Sequence, residues 1–418
     1  MKSAMAIAKA GASATALAVL LFLVNPAHAA PEAGDGATAC PEAGAWIVPA
    51  TGETIAADAV MAMHASRPIV LLGETHGRAD QHRWQLHTMA ALYGYRPDMV
   101  VGVEMLPRRV QPILDRWVRG EMTDAAFLQA VDWNTVWGFD PELYLPLFHF
   151  ARLHRVPMVA LNVDRTLIAR IGQEGWDAIP EEDREGVSTP EAASEAYRRS
   201  LAEIYALKQH MRQDGEQPDA TPAAEADVQE ILRAPDFQHF VEAQLAWDRA
   251  MGEGLAREAR RSDRPLVVGI IGRGHLENRW GVPHQLASLG LPDAAVLLPW
   301  RREQCAEITP GIADTVFLVN EDDSVADRQG PRLGVMVAPH RDGVEIIQIA
   351  AGSIADSAGL AEKDVILSIG GDRVRTVQDV VAIVRKQAPG ASLPVIYRRG
   401  AETREVVARF PDPPPDSQ

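Results

Sequence analysis

The sequence lacks the short motifs that mark several common cofactor and active sites. It has no GxxxxGK(S/T) phosphate loop, and residues 269–275 (GIIGRGH) lack the third glycine and the acidic partner of a dinucleotide site. It has no GxSxG nucleophile elbow. With only two cysteines, it also has no CxxCH motif for covalent haem attachment. The corresponding nucleotide, serine-hydrolase and cytochrome c-type sites are therefore excluded.

Long apolar runs are also absent, except near the N-terminus. Lys2 and Lys9 flank the start of a mostly apolar stretch at residues 12–24, and residues 27–29 (AHA) fit a small-x-small cleavage site. This arrangement is typical of a secretory signal peptide, which we assign to residues 1–29. We therefore expect an exported protein of the periplasm or cell envelope.

Positive charge is scarce relative to negative charge. The chain has 57 acidic and 41 basic residues and a formal net charge of −16. Removing the two lysines of the signal peptide would leave about −18. An acidic surface of this size argues against nucleic acid and anionic membranes as partners.

The two cysteines, Cys40 and Cys305, are a disulfide candidate. An even number of cysteines in an exported protein favours pairing, and a bridge between these two would join the ends of the first domain. The alternative is two unpaired thiols. Cys40 lies too far from the cleavage site to be a lipid-attachment residue.

Short, continuous apolar runs predict buried strands, and they lie at residues 67–73, 98–103, 156–161, 265–271 and 294–298. Continuous rather than alternating apolar runs are typical of parallel strands covered on both faces. Helical patterns lie between them. We therefore predict an α/β fold with an open, mostly parallel sheet flanked by helices.

The remaining chain suggests further divisions. About a hundred residues separate the third predicted strand from the fourth, which predicts a large helical insertion in a first domain at residues 30–310. A linker is predicted at residues 311–330 and a small β-rich domain at residues 331–410. The proline-rich residues 411–418 are expected to be a disordered tail.

Polar side chains follow four of the predicted strands, at the point where each strand ends. In chain order they are Glu74, His76, Glu104, Asn162 and His275. Because the carboxyl ends of parallel strands meet at one edge of a sheet, we expect these side chains to share a cleft. Such a set could bind a divalent metal, act as general acid and base, or position a larger ligand.

Several ordered stretches resemble the ChaN-like haem-binding uptake family, which is distantly similar to Tiki, TraB-type and erythromycin esterase proteins. They include VLLGETHGRADQH, VVGVEMLPRRVQPILDRW, AQLAWDRAMGEGLA and GIIGRGHLENRWGVPHQL. The resemblance covers roughly residues 40–305. It implies an exported protein that binds haem in the cleft, with a role in haem or iron uptake or handling. Members are often lipoproteins, and this chain lacks their lipid-attachment cysteine.

The candidate haem-binding residues combine the cleft with the helices around it, because ferric iron accepts tyrosinate, imidazole or thioether donors. They are Glu74, His76, Glu104, Tyr144, Asn162, Tyr197, Tyr205, His210 and His275. An alternative hypothesis is a metal-dependent hydrolase or peptidase in which a divalent metal replaces haem as cofactor. Its metal-binding and catalytic residues would be Glu74, His76, Glu104 and His275. Whether the protein is an enzyme stays open.

The C-terminal domain resembles a PDZ domain of the bacterial protease type, on the basis of residues 352–371 (GSIADSAGLAEKDVILSIGG). The resemblance implies that Leu333, Gly334 and Val335 form the loop that holds a peptide carboxylate. The expected partner is the C-terminal peptide of an exported or membrane protein. A second copy of the chain, forming a homodimer, is a further candidate partner.

Overall fold

A computed structural model describes residues 40–214, 225–320 and 332–411. The chain divides into two compact units, Met1–Asn320 and Glu321–Gln418. The predicted signal peptide and nearly all of the predicted tail lie outside the described residues. None of the helices within the described ranges is long and apolar enough to cross a membrane.

The first unit is built on one eight-stranded sheet. Its strands are β1 (Trp46–Val48), β2 (Glu53–Ile55), β3 (Ile69–Glu74), β4 (Met99–Pro107), β5 (Met158–Asn162), β6 (Leu266–Gly272), β7 (Ala295–Arg301) and β8 (Thr315–Val319). Their spatial order is β2-β1-β8-β7-β3-β6-β4-β5. The six strands from β8 to β5 are parallel, while β1 pairs antiparallel with both β2 and β8. The predicted open, mostly parallel sheet is confirmed, and its five predicted strands are β3 to β7.

Helices cover both faces of this sheet. They are α1 (Ala57–Ala65), α2 (Ala79–Tyr95), α3 (Gln111–Val118), α4 (Asp124–Ala130), α5 (Trp133–Val136), α6 (Pro141–His154), α7 (Arg165–Glu174), α8 (Glu195–Asp214), α9 (Glu225–Ile231), α10 (Pro235–Ala259) and α11 (Val282–Ser288). On β3, Val70 and Leu72 pack into the core formed with α1 to α6. Ile69 and Leu71 face the opposite core, which α10 and α11 complete. This two-residue alternation, with apolar residues on both sides, explains the continuous apolar run.

The predicted helical insertion lies between β5 and β6 and contains α7 to α10. The long helix α10 is its central element, because it packs against the sheet, against α7 and against α8. Phe237 and Val241 of α10 share a small apolar core with Tyr197 and Leu201 of α8. Through α10, the insertion is therefore attached to the face of the sheet formed by β4, β5 and β6.

The predicted linker needs a correction at its start. Residues 311–330 were assigned to it, but Thr315–Val319 forms β8, whose side chains are mostly buried. β8 pairs with β7 on one side and with β1 on the other. The first domain therefore extends through Val319. The run TVFLV is apolar enough to predict a strand, but it follows a turn-rich stretch that resembles a domain boundary.

The second unit is a small antiparallel β structure with two helices. Its elements are β9 (Val335–His340), β10 (Gly343–Ile349), α12 (Ile354–Ser357), β11 (Val365–Ile369), β12 (Asp372–Arg373), α13 (Val377–Arg385), β13 (Ser392–Arg399) and β14 (Glu402–Arg409). The strand order is β14-β13-β11-β10-β9, with β12 beside β11. β9 therefore lies at the edge of this sheet, and α13 packs beside it.

A disulfide joins Cys40, just before β1, to Cys305, just after β7, and this confirms the predicted pairing. The two Cα atoms are 6.0 Å apart, and the cysteines are 265 positions apart in the sequence. Such a bridge closes almost the whole first unit into one loop. By the chain-entropy account, it stabilises the fold chiefly by restricting the unfolded chain.

We expect Cys305→Ser to lower the free energy of unfolding by up to about 4–5 kcal/mol, because a long loop is no longer closed in the unfolded chain. Denaturant titration of the wild type and the variant measures this difference. Mass spectrometry of protein treated with a thiol-blocking reagent checks the bridge itself. Modification of both cysteines before reduction would contradict the assignment.

Candidate functional site

The carboxyl ends of three neighbouring strands bring buried charged side chains together. Glu74 is the last residue of β3, Glu104 lies in β4, and His275 ends the short 3₁₀ turn Arg273–His275 after β6. Glu74 is paired in register with Gly272 of β6, the strand that also pairs with β4. All three charged side chains are 1% exposed. Charged groups this deeply buried require partners, and the surrounding elements supply them.

Glu74 and His76 form the first carboxylate–imidazole pair. The Glu74 Oε1 atom lies 2.6 Å from His76 Nδ1. Burial lowers the pKa of His76, but the negative charge of Glu74 and the hydrogen bond to it outweigh burial and raise the pKa to about 9. Burial likewise raises the pKa of Glu74, while the nearby imidazoles outweigh that effect and lower it. At neutral pH the pair is therefore a carboxylate and an imidazolium.

Aromatic rings and a glycine fix the position of the His76 ring. The ring centroids of Trp137 and Phe139 lie 4.7 and 5.0 Å from that of His76. On the other side, a Cβ atom added at Gly272 would lie 2.7 Å from His76 Cε1 and 3.3 Å from its Nε2. Only glycine allows the imidazole to pack this closely on the end of β6. Because Nδ1 is held by Glu74, Nε2 is the nitrogen left for a ligand.

Asp248 and His275 form the second pair, next to Glu104. His275 Nδ1 lies 2.5 Å from Asp248 Oδ1 and 3.0 Å from Gln244 Nε2. Burial lowers the pKa of His275, but the charge of Asp248 outweighs it and raises the pKa. Burial also raises the pKa of Asp248, although His275 opposes this. The pair therefore holds its proton more tightly than a free imidazole does.

Glu104 faces this second pair. Its Oε2 accepts a hydrogen bond of 2.6 Å from the Gly272 backbone N–H. Its Oε1 lies 3.6 Å from His275 Nε2, and neither of these buried atoms has a hydrogen-bond partner among the described residues. Glu74 Oε2 is in the same situation. Buried polar atoms of this kind indicate a site that is built for a polar ligand group or for water rather than for packing alone.

Two further candidates support the site from behind. Asn162 Nδ2 donates to the Glu104 carbonyl at 2.9 Å, and its Oδ1 accepts from the Val163 N–H. The fully buried Tyr144 donates to the His76 carbonyl at 3.0 Å. Both side chains therefore hold the backbone of residues that face the cleft, while their own polar atoms are already engaged.

The candidates on helix α8 differ in accessibility. Tyr197 is buried and donates to Asp248 Oδ2 at 3.0 Å. Tyr205, two turns further on, is half-buried, with its ring 5.6 and 5.3 Å from the rings of Phe237 and Phe240. The side chain of His210 lies outside the described residues. Of the two described tyrosines on α8, only Tyr205 reaches the surface.

Asp248 and Gln244 are part of the site but were not among the candidates predicted from the sequence. They lie four residues apart in α10, on a face that is otherwise apolar and buried. Polar residues at this spacing share one face of a helix, so two polar residues on an otherwise apolar face indicate a buried polar site. Nothing in the sequence, however, shows that this face packs against the end of β6.

The four side chains proposed to hold a divalent metal do not converge on one point. Each imidazole directs Nδ1 to a carboxylate and keeps Nε2 for a ligand, while Glu104 Oε2 is bonded to the backbone of β6. Within residues 40–214, 225–320 and 332–411, no three His, Cys, Asp or Glu side chains are grouped to hold a metal ion. The donor geometry therefore does not favour the metal-dependent alternative.

The resulting cleft is small and open to solvent. Its lining consists of residues 74–76 and residues 272–275, and it encloses about 270 Å³ including its mouth. Because Glu74, His76 and His275 line it, this cleft suits the polar end of a ligand.

Family models match two parts of the chain. A family model described as "Haem-binding uptake, Tiki superfamily, ChaN" matches residues 60–286, more than half of the chain. A PDZ-domain model matches residues 331–408. The chain is also similar to a solved structure titled "Cofacial heme binding to ChaN of Campylobacter jejuni". That match has a TM-score of 0.48 and 17% identity, and it covers 65% of this chain and 95% of the other.

Curated relatives match over short stretches. The chain is 43% identical over 60 residues to serine protease HTRA1A of Danio rerio, covering 14% of this chain and 12% of that protein. It is 40% identical over 74 residues to the putative serine protease HhoB of Synechocystis sp., covering 18% of each. The chain thus spans less than a fifth of these relatives, so the similarity is that of one module.

The Glu74–His76 pair predicts a specific pH dependence. The folded-state pKa of His76, about 9, lies above the ordinary 6.5. Protonated His76 therefore adds about 3 kcal/mol to the free energy of unfolding. This stabilisation is fully present below about pH 6.5 and is lost as pH rises through 9. In Glu74→Gln we expect the His76 pKa to fall to 6.5 or below, because burial then dominates. Histidine-labelled NMR titration measures both values. An unchanged midpoint in Glu74→Gln would contradict the assignment.

Proposed function

The chain belongs to the haem-binding uptake family of the Tiki superfamily that contains ChaN, as its motifs predict, and from this we propose that its α/β domain binds haem. Family membership over residues 60–286 is the observation that carries the proposal. We further propose that the PDZ domain binds the C-terminus of a partner. The two modules together suit an exported protein that acts in haem or iron uptake or handling.

The cleft supports haem binding through a propionate group. The cleft is lined by two imidazoles and an arginine, His76, His275 and Arg273, which suit a carboxylate. His76 provides a positively charged N–H donor at Nε2, since Nδ1 is held by Glu74. Charge-assisted hydrogen bonds of this type are roughly twice as strong as neutral ones. The macrocycle would then lie outside the cleft, on the surface formed with the helical insertion.

Tyr205 is our candidate for the iron ligand. When bound, haem supplies an iron whose ferric state accepts a tyrosinate oxygen. Burial raises the pKa values of Tyr144 and Tyr197 well above the ordinary tyrosine value, and both hydroxyls already donate to fixed acceptors. Tyr205 is half-buried and lies among aromatic rings that suit a flat apolar macrocycle.

We expect ferric haem to produce a shifted Soret band when it is added to the purified protein. Tyr205→Phe should alter that spectrum and weaken binding by at least about tenfold, because it removes the axial oxygen. Tyr93→Phe is the matched control, since Tyr93 is likewise half-buried between two aromatic rings but lies on α2, and it should keep the wild-type spectrum. Absorbance titration of the three proteins measures the effect.

Two outcomes of this titration would count against the proposal. If haem leaves the wild-type spectrum unshifted, the haem-binding function is wrong. If Tyr205→Phe behaves like the wild type, haem binding stands and the ligand assignment is wrong.

Export is supported by two independent features. Residues 1–29 have the organisation of a cleavable signal peptide, and the Cys40–Cys305 disulfide is typical of oxidising compartments. We therefore propose that the mature chain begins after residue 29 and acts in the periplasm or cell envelope. The PDZ domain would then attach the haem-binding domain to a partner in the same compartment.

The PDZ domain offers an edge strand and a carboxylate loop for peptide binding. Among residues 332–411, β9 pairs with β10 alone, so its other edge is available for an added strand. The loop before it is fixed because the carbonyls of Leu333 and Gly334 accept from the Ala355 and Ala350 N–H groups. These two hydrogen bonds engage the carbonyl oxygens of Leu333 and Gly334. They do not use the backbone N–H groups of the loop, which are the groups that would bind a peptide carboxylate. The expected peptide groove lies between β9 and α13, which packs beside it. Val380 and Val384 of α13 are buried in the core next to this groove.

We expect a peptide with a free C-terminus to bind at least about tenfold more tightly than its amidated form, because the loop amides make charge-assisted hydrogen bonds. Gly334→Ala should abolish this binding: Gly334 has φ +77°, and an added Cβ would lie 2.3 Å from the Ser353 Cβ. Gly400→Ala is the matched control, with φ +61° and open space around it. Fluorescence anisotropy with the full chain measures all three. Equal affinity for both peptide forms would contradict the loop assignment.

A further inference from the structure

Strands β9 and β10 each place one large apolar side chain on the outer face of the sheet. Met336 is 60% exposed and Ile347 of β10 is 47% exposed. In the β9–β10 register, Met336 is paired with Gln348, and Ile347 occupies the irregularity between Ile346 and Gln348. Met336 and Ile347 are therefore neighbours at the same edge of the sheet as the peptide groove. We call these two residues the outer patch.

The position of the carboxylate loop fixes the direction of a bound peptide. Residues 333–335 lie at the start of β9, so a peptide whose last residue ends there must run antiparallel to β9. In an antiparallel pair, successive side chains alternate between the two faces, and opposite residues share a face. Val335 and Val337 are packed against the domain core, whereas Met336 faces outward.

This alternation assigns the last two peptide side chains to different surfaces. The last side chain enters the apolar groove with Val335, and the penultimate one stands on the outer face beside Met336. We infer that the outer patch selects an apolar penultimate residue, so that the preferred partner of this PDZ domain ends in two consecutive apolar residues. This inference rests on the proposed peptide-binding function and adds a specificity-determining contact to it.

The expected size of the preference follows from the area involved. A medium-sized apolar side chain packed on Met336 would remove roughly 50 Å² of apolar surface from water, at about 25 cal/mol per Å². That corresponds to roughly tenfold in affinity. Gln348, the cross-strand partner of Met336, is uncharged and does not oppose an apolar neighbour.

Three fluorescent eight-residue peptides with one common body test the inference against the full chain. Two have free carboxylates and end in Leu-Val or Ser-Val, and the third is the amidated Leu-Val peptide. The proteins are the wild type, Met336→Ser and Val407→Ser. Val407 is 44% exposed on β14, at the opposite edge of the same sheet, so its substitution removes similar apolar surface away from the groove. Because Met336 and Val407 are exposed, both variants should melt at the wild-type temperature.

We expect the wild type and Val407→Ser to bind the Leu-Val peptide about tenfold more tightly than the Ser-Val peptide. Met336→Ser should bind both with the affinity that the wild type shows for Ser-Val. If both free-carboxylate peptides bind the wild type equally, or if Met336→Ser keeps the preference, the outer patch does not select the penultimate residue, while peptide binding itself stands. If neither free-carboxylate peptide binds, or amidation has no effect, the proposed peptide-binding function fails together with the inference.

Discussion

The buried carboxylates at the carboxyl edge of the sheet impose the constraint on which the rest of the site depends. Glu74 and Glu104 are almost completely removed from water, and an unpaired charge in such a place costs several kcal/mol. The fold meets this constraint with a nearby imidazole for each carboxylate and with the Gly272 N–H for Glu104. Every other feature of the site can be understood as support for these contacts.

The support reaches outward through several elements. Tyr144 of α6 and His82 of α2 both lie 3.0 Å from the His76 carbonyl oxygen and hold the turn after β3. Asp248 of α10 orients His275, and Tyr197 of α8 in turn bonds Asp248. The helical insertion is thus tied to the sheet edge through a continuous hydrogen-bonded path. Such support keeps the His76 donor in one position, which binding a propionate requires.

The parts of this architecture that follow from local pattern were predictable from the sequence. Continuous apolar runs identified β3 to β7, and the polar residues that end β3, β4 and β6 identified the cleft. β1 and β2 are only three residues long and leave no clear pattern, and β8 follows a turn-rich stretch that resembles a linker. The role of Asp248 depends on how α10 packs on β6, which no local pattern reveals. For the same reason, sequence alone did not distinguish the supporting tyrosines Tyr144 and Tyr197 from the accessible Tyr205.

The central claim is that haem binds at this sheet edge with a propionate on His76. The most direct test follows the ring signals of histidine-labelled protein by NMR while ferric haem is added. The iron should broaden the His76 signal in proportion to the bound haem. His154, about 15 Å further along α6 than Tyr144, should be affected much less. An unchanged His76 signal at saturating haem would show that haem binds elsewhere and would contradict this account.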